Sequence, residues 1–402
     1  MFEILKNKYK PKSSRVYLDF AAATPIRNSV LKIMDEVSRQ LFANPSAVHQ
    51  EGVLARNKID EARLDLARAL EVKPEGIIFT ASGTESNNLA IFGLVEKLHL
   101  EGREYSDMAI ISSKLEHPSV SRVLDKLSLW GVKIKYVKVD SGGRIDFNDL
   151  GKCLDESVVL CTFSYVNSEI GVIQDIGKVS RLIHKFNKEN GTTIKVHTDA
   201  AQAPLWLSCR PEELGVDMLS LDASKCYGPK GVGVLVLHRS VDISPVVLGG
   251  GQEQGLRAAT ENTPAIIGAA AAIVEAQTNY QKRSEKITVL RDKTIKELKE
   301  ISGAFINGSL ENRVANNINI SIADIDGEFA VISLDAAGFA VSTKSACSGS
   351  DGEGSKVVMT IIGDKNRASS TIRITLGEET KEKELKFLVK AIKEHIKQTR
   401  KV

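Results

Sequence analysis

Residues 219–237 read LSLDASKCYGPKGVGVLVL, two apolar runs on either side of a glycine-bounded turn that carries Lys225. The apolar runs are typical of buried strands. A third such run, IKVHTD (194–199), ends at Asp199. A lysine amine in such a turn can bind an aldehyde covalently, and a carboxylate at a strand end can pair with a ring nitrogen. Together these groups predict a site for pyridoxal phosphate.

The pattern on both sides of this run alternates short β-rich segments with periodic helical stretches. GIIFTAS (76–82), DMAIISS (107–113) and VVLCTFSYV (158–166) are strand-like, and helical stretches stand between them. Strands that alternate with helices form a mostly parallel sheet whose two faces are covered. The sequence therefore predicts an α/β fold with functional residues at the ends of the strands.

The pattern changes after Pro264 to one long helical stretch, followed by strands NNINISI (316–322) and STIRITL (370–376) and a terminal helix. We expect a large domain at residues 16–262 and a smaller α/β domain formed by residues 1–15 and 263–402. The glycine-rich segment SGSDGEGS (348–355) directly follows Cys347. Its composition predicts a mobile loop with a single cysteine at its root.

Composition narrows the class of protein. The 54 basic and 51 acidic residues are spread along the chain, so nothing favours direct nucleic-acid or membrane binding. No apolar stretch is long enough for a membrane span, and the first residues do not resemble a signal peptide. The five cysteines have irregular spacing without a CxxC pair, which predicts reduced thiols and no metal site. We expect a cytoplasmic protein.

Two segments suggest anion binding or acid–base chemistry. In TASGTESNNLA (80–90), Gly83 and Thr84 open a predicted helix, whose amino terminus can hold a phosphate or can simply be capped. His117 in KLEHPS follows a predicted strand, where its imidazole could stack on a planar cofactor or move a proton; the alternative is an ordinary turn residue. Asp199 could likewise be only a helix cap.

Three further residues are candidates. Arg373 interrupts the apolar strand STIRITL, which favours either a buried carboxylate partner, such as a substrate, or an exposed strand face. Asn167 lies in YVNSEIGV and Cys347 in KSACSGS. The glycine runs GPKGVG and GGGQEQG lack the remaining features of nucleotide-binding motifs.

In chain order the segments YLDFAAATP, SGTESNNLA, EHPSV, VNSEIGVIQDI, VHTDAAQA, SKCYGPKGVG, GGGQEQGLRAAT, SACS and STIRITLG form a specific set. The set resembles the cysteine desulfurases, pyridoxal phosphate enzymes of fold type I (aminotransferase class V), and is closest to their NifS/IscS-like group. The resemblance implies a seven-stranded, mostly parallel sheet and a homodimer. It also implies conversion of L-cysteine to L-alanine with transfer of sulfur to an acceptor protein.

The resemblance also implies a role for each candidate. Lys225 would bind the cofactor covalently, Asp199 would partner the pyridine nitrogen, Gln202 would contact the phenolic oxygen, and His117 would stack on the ring. Thr84 would bind phosphate, joined by Thr260 from a second subunit, and we expect Gly83 and Ser224 to be further cofactor-binding residues. Asn167 and Arg373 would hold the substrate carboxylate, and Cys347 would be the catalytic nucleophile that takes the sulfur.

Two segments depart from the family pattern, the residues just before the lysine and the residue before Thr260. The family usually has Ser-Gly-His-Lys at the lysine, whereas this chain has Asp222, Ala223, Ser224 and Lys225. Ser224 can still donate a hydrogen bond, but an ionised Asp222 would repel a phosphate. Ala259 stands where glycine is usual before the threonine.

Two other interpretations remain open at this stage. A selenocysteine lyase, or another class V lyase or transaminase, would use the same residues, although a pure transaminase has no need of Cys347. A non-catalytic, partner-binding subunit of a sulfur-transfer assembly would explain the changes at Asp222 and Ser224. The sulfur acceptor, whether an iron–sulfur scaffold, a tRNA-thiolation protein or a carrier, is not specified by the sequence.

Overall fold

The computed structural model describes residues 15–343 and 354–399. Its strands are β1 Val16–Tyr17, β2 Ile77–Thr80, β3 Ala109–Ser113, β4 Lys133–Val137, β5 Val158–Ser164, β6 Lys195–Asp199, β7 Met218–Asp222, β8 Gly233–Leu237, β9 Ala304–Ile306, β10 Asn317–Ile322, β11 Phe339–Ala340 and β12 Thr371–Thr375. Its α-helices are α1 Asn28–Gln40, α2 Gln50–Leu70, α3 Gly83–Leu100, α4 Pro118–Leu129, α5 Phe147–Cys153, α6 Ile176–Asn190, α7 Pro211–Leu214, α8 Thr263–Lys299, α9 Gly327–Ala336, α10 Lys356–Ile362, α11 Lys365–Ser369 and α12 Glu382–Thr399.

The main sheet has seven strands in the order β2-β8-β7-β6-β5-β3-β4. Neighbouring strands are parallel except at β8, which runs antiparallel to both β2 and β7. Strands such as β5 are buried along their whole length, because helices cover both faces. The predicted α/β fold with a mostly parallel, seven-stranded sheet is confirmed.

Two apolar clusters form the core on the two faces of this sheet. One includes Leu66 of α2 and Ile273 of α8, and it continues into the carboxyl-terminal strands. The other includes Leu94 of α3 and Leu124 of α4. The helices that begin at the strand ends are therefore fixed by packing along their length, which holds their first turns in place.

The carboxyl-terminal part contains a three-stranded antiparallel sheet, in the order β12-β10-β9, with α9 packed on α12. Strand β1 pairs with β11 in parallel, and Asp19 forms a bridge with Thr375 of β12. The segment from Val16 to Asp19 thus lies against this part of the chain, while α8 packs on α1 and α2. The domain boundary at residue 262 stays a prediction.

None of the described helices combines the length and apolar character that a membrane crossing needs. The described residues also contain no group of three or more His, Cys, Asp or Glu side chains placed to hold a metal ion.

Candidate active site

The candidate residues lie at one edge of the main sheet. Strands β2, β3, β5, β6 and β7 run in the same direction, so their carboxyl ends meet at that edge. Gly83 follows β2, His117 follows β3 and Asn167 follows β5. Asp199 ends β6, and the short 3-10 turn Ala223–Lys225 follows β7. The parallel topology therefore brings together residues that are far apart in the sequence.

Asp199 is buried and held from both sides. Its Oδ2 accepts a hydrogen bond of 2.8 Å from Asn87 Nδ2, and its Oδ1 accepts one of 3.0 Å from the Ala201 N–H. Asn87, one turn into α3, also donates to Ser119 Oγ at 2.8 Å. Sequence reasoning missed Asn87, since an asparagine on the buried face of a helix gives no periodic signal; its place in the SGTESNNLA motif was the available clue.

His117 caps α4, which agrees with the alternative that it is an ordinary turn residue. It also lies in the candidate site. Its Nδ1 accepts the Ser119 N–H at 3.1 Å and is 2.8 Å from Ser119 Oγ. An accepting Nδ1 assigns the ring proton of the neutral imidazole to Nε2. Burial lowers the pKa of His117, the Lys225 cation lowers it further, and Asp199 acts in the opposite direction. The imidazole is therefore held neutral in a fixed orientation.

Lys225 points towards the segment FAAATP (20–25). This segment belongs to a family motif, but the sequence did not indicate that it lies at the site. Lys225 Nζ donates a hydrogen bond to the Ala22 carbonyl, and Gln202 Nε2 donates to the Ala21 carbonyl at 2.9 Å. Thr24 bonds the Ser224 carbonyl through both its N–H and its hydroxyl, each at 2.9 Å. The amino-terminal segment thus fixes the turn that carries the lysine.

The start of α3 has the features expected of a phosphate site, with one exception. Ser82 Oγ caps the helix by accepting the Glu85 N–H at 3.1 Å, and the Thr84 side chain is exposed. The exception is Asp222, whose Oδ2 accepts the Gly83 N–H at 3.2 Å and whose Oδ1 accepts the Ser224 hydroxyl at 2.6 Å. Ser224, a predicted phosphate donor, is therefore bound to a carboxylate.

Thr260 is exposed in a loop. The same loop contacts the start of α3 through Arg257, whose Nε lies 2.9 Å from Glu85 Oε1. The preceding Ala259 has φ 101°, in the left-handed region that favours glycine. Glycine is usual at that position in the family. In this chain an alanine adopts the left-handed conformation, which strains the backbone.

Arg373 is 1% exposed and does have a carboxylate partner, Asp19, whose Oδ1 lies 2.8 Å from Nη2. Its Nη1 donates to the Ser168 carbonyl at 3.1 Å, and its Nε has no hydrogen-bond partner among the described residues. The exposed-strand alternative is therefore wrong. The Asn167 Oδ1 accepts two backbone N–H groups of its own loop. Binding of a substrate carboxylate by Asn167 and Arg373 stays a prediction.

Cys347 lies outside the described residues. The described residues on either side of it are tied to the site: Ser342 pairs with Arg373 through two backbone hydrogen bonds, and Ser355 Oγ donates to Glu169 Oε2 at 2.6 Å. Glu169 belongs to the same loop as Asn167 and is buried. Both ends of the segment that contains Cys347 are thus anchored next to the candidate site.

The family model for class-V aminotransferases matches residues 16–388. The chain belongs to this family. It is 40% identical to the cysteine desulfurase IscS of Dictyoglomus turgidum over 386 residues, which are 96% of this chain and 95% of that protein. A solved NifS-like protein has a TM-score of 0.87 and 34% identity over 95% of this chain and 99% of its own. A structure of SspA in complex with cysteine has a TM-score of 0.76 and 31% identity, covering 90% and 98%. The family that the sequence motifs indicated is confirmed.

Proposed function

We propose that this chain is a pyridoxal phosphate-dependent cysteine desulfurase that converts L-cysteine to L-alanine and leaves a persulfide on Cys347. The observation that carries the proposal is the convergence of Lys225, Asp199 and His117 at one sheet edge, in a chain whose relatives are named cysteine desulfurases. The anchored ends of the Cys347 segment at the same edge support the role of that cysteine.

The donor set of the site suits pyridoxal phosphate. The cofactor needs an amine for its aldehyde, an anion for its protonated pyridine nitrogen and donors for its phosphate. Lys225 supplies the amine, Asp199 supplies the anion, and the start of α3 with Thr84 supplies the phosphate donors. His117 would then lie on the ring face, and Gln202 would contact the phenolic oxygen. When bound, the cofactor would act as an electron sink for the substrate amino acid.

Each residue has a physical task in this proposal. The hydrogen bonds from Asn87 and Ala201 keep the Asp199 carboxylate in one orientation, which preorganises its charge. Because His117 is neutral, with its proton on Nε2, it adds no positive charge next to the proposed cofactor. The Lys225 amine moves protons to and from the substrate carbon atoms. Arg373 would bind the substrate carboxylate, and its buried Nε, which has no hydrogen-bond partner among the described residues, supports this role.

The sulfur step balances without an external oxidant. The bond between Cβ and sulfur of L-cysteine breaks, the sulfur forms a new bond with the Cys347 thiolate, and Cβ takes up a proton, so that the products are L-alanine and a persulfide. A persulfide on this segment can pass its outer sulfur to a thiol of an acceptor protein. We propose such an acceptor, and a homodimer in which Thr260 reaches the partner's phosphate site.

The cysteines within the described residues, Cys153, Cys161, Cys209 and Cys226, are all free thiols, which supports a reducing compartment such as the cytoplasm. Burial raises the pKa of the Cys161 and Cys209 thiols far above the usual range. Such thiols are poor nucleophiles. We propose that sulfur transfer depends on Cys347, the residue that the family resemblance implies as the nucleophile.

The test is to incubate the full-length chain, supplied with pyridoxal phosphate, with L-cysteine and to measure alanine and the mass of the peptide that contains Cys347. We expect alanine to form and this peptide to gain one sulfur. Lys225→Ala should lower alanine formation by about 1,000-fold or more, in line with the loss of a nucleophilic catalytic group. Cys347→Ser should abolish the persulfide, whereas Cys153→Ser is the matched control and should retain activity. Alanine formation by Cys347→Ser at the wild-type rate would overturn the persulfide mechanism.

A further inference from the structure

Asp222 occupies an unusual place for an acidic residue. It ends β7, three residues before Lys225, and its side chain reaches across to the first residue of α3. The amino terminus of a helix carries partial positive charge and unsatisfied N–H groups, so it attracts anions. Here the anion that lies nearest to this terminus is a carboxylate of the chain itself.

The hydrogen bonds of Asp222 use donors that a phosphate would need. Its Oδ2 accepts the Gly83 N–H at 3.2 Å. Its Oδ1 accepts the Ser224 N–H at 2.9 Å and the Ser224 hydroxyl at 2.6 Å. Ser82 takes up the Glu85 and Ser86 N–H groups. Thr84 is therefore the main donor left at this end of the site.

The contact between Asp222 and Gly83 is close because Gly83 has no side chain. A Cβ at Gly83 would lie 3.1 Å from Asp222 Cβ and 3.3 Å from its Oδ2. Among the described residues no lysine or arginine forms a salt bridge with Asp222. The hydrogen bonds to this carboxylate come from two backbone N–H groups and the Ser224 hydroxyl.

We propose that Asp222 is a built-in competitor of the cofactor phosphate: it binds the Gly83 N–H in the cofactor-free chain and lowers the affinity of the site for pyridoxal phosphate. The phosphate must displace the carboxylate from Gly83 and then remain beside a like charge, which costs binding free energy. The predicted consequence is a cofactor that is bound weakly and exchanges readily. This inference rests on the proposed function, because it assumes that the site takes pyridoxal phosphate.

The experiment compares the full-length wild-type chain with Asp222→Asn and Asp222→Ser. Each protein is freed of cofactor and titrated with pyridoxal phosphate, and separately with pyridoxal, which has the same ring and aldehyde but no phosphate. Binding is followed by the absorption band that the cofactor develops on the lysine. We expect both variants to bind pyridoxal phosphate at least about tenfold more tightly than wild type, equivalent to about 1.4 kcal/mol. Their affinity for pyridoxal should not change.

Asp146→Asn is the matched control, since Asp146 also accepts the N–H two residues later, at 2.8 Å, as the cap of α5. It should bind both ligands as wild type does. Equal affinities of wild type and the Asp222 variants for pyridoxal phosphate would overturn the inference. An equal gain in affinity for pyridoxal would also overturn it, because it would indicate a general effect on the lysine turn. If no protein in the series binds pyridoxal phosphate, the proposed function fails instead.

Discussion

Glu116, the residue before His117, is a buried carboxyl group at the edge of the site. Its Oε2 accepts the Ser164 N–H at 2.8 Å, and its Oε1 accepts the Ser113 hydroxyl at 2.6 Å. Burial raises the pKa of Glu116 to about 7, although both hydrogen bonds act in the opposite direction. The folded chain therefore holds a proton on Glu116 between pH values of about 4.5 and about 7, where the unfolded chain has released it.

This shift predicts how stability depends on pH. Since the folded state binds more protons in that window, the Glu116 contribution to the free energy of unfolding decreases as pH rises through it. Glu116→Gln cannot titrate, so its stability relative to wild type should rise by on the order of 3 kcal/mol between about pH 4.5 and about pH 8. Denaturant unfolding at several pH values measures this. Glu189→Gln, at an exposed position on α6, is the control. Parallel pH profiles for wild type and Glu116→Gln would contradict the prediction.

At the scale of elements, α3 connects the two ends of the candidate site. Its first residues form the proposed phosphate site, and Asn87, one turn later, donates a hydrogen bond to Asp199. Asn87→Ala should lower the affinity for pyridoxal phosphate by about tenfold, because Asp199 loses a charge-assisted hydrogen bond of the class worth about 1.5–3 kcal/mol. The absorption band of the bound cofactor should also shift, since Asp199 would partner the ring nitrogen in the proposed function.

Asn88→Ala is the control for Asn87→Ala, because Asn88 lies on the same helix and donates to the Thr84 carbonyl, at 2.8 Å, and not to Asp199. It should leave both the affinity and the spectrum unchanged. A loss of thermal stability in Asn87→Ala with an unchanged cofactor spectrum would mean that Asn87 supports the fold without positioning Asp199.

At the scale of the whole molecule, Glu378 joins parts of the chain that are far apart in the sequence. Its carboxylate pairs with Arg283 of α8 and, at 3.1 Å, with Arg27 just before α1. Its backbone N–H donates at 2.9 Å to the hydroxyl of Tyr227, two residues after Lys225. The Arg283 side chain is 5% exposed, so its charge depends on these partners. The network therefore ties the lysine turn to the carboxyl-terminal part.

Glu378→Gln should lower the free energy of unfolding by about 2 kcal/mol, because among the described residues it leaves Glu275 as the remaining carboxylate partner of the buried Arg283 guanidinium. Glu382→Gln is the control: Glu382 pairs with Lys293 and Lys386 at the surface, and such pairs contribute about 0–1 kcal/mol. Urea unfolding of the two variants compares them. A smaller loss in Glu378→Gln than in Glu382→Gln would exclude the network as a stabilising link.

The regular elements could be predicted because their signals are local. The buried strands and long helices have continuous or periodic apolar patterns, and Lys225 and Asp199 follow such strands. The short elements could not be predicted in this way. Strands β1 and β11 have two residues each, too few to show any alternation, and they exist because they pair with each other across the fold. Helix α1 was not among the predicted elements.

The amino-acid sequence alone therefore determined the α/β class and the family, and it predicted the lysine and the acid at strand ends and Cys347 as the nucleophile, because short runs of neighbouring residues encode these features. Three contacts that give the site its character depend on the folded chain. They are the hydrogen bonds from Gly83 to Asp222 and from Asn87 to Asp199, and the pairing of Arg373 with Asp19, which join residues 139, 112 and 354 positions apart. Sequence showed that Asp222 was out of place for a phosphate site; the packing of α3 beside β7 brings its carboxylate to the donor that the phosphate would use.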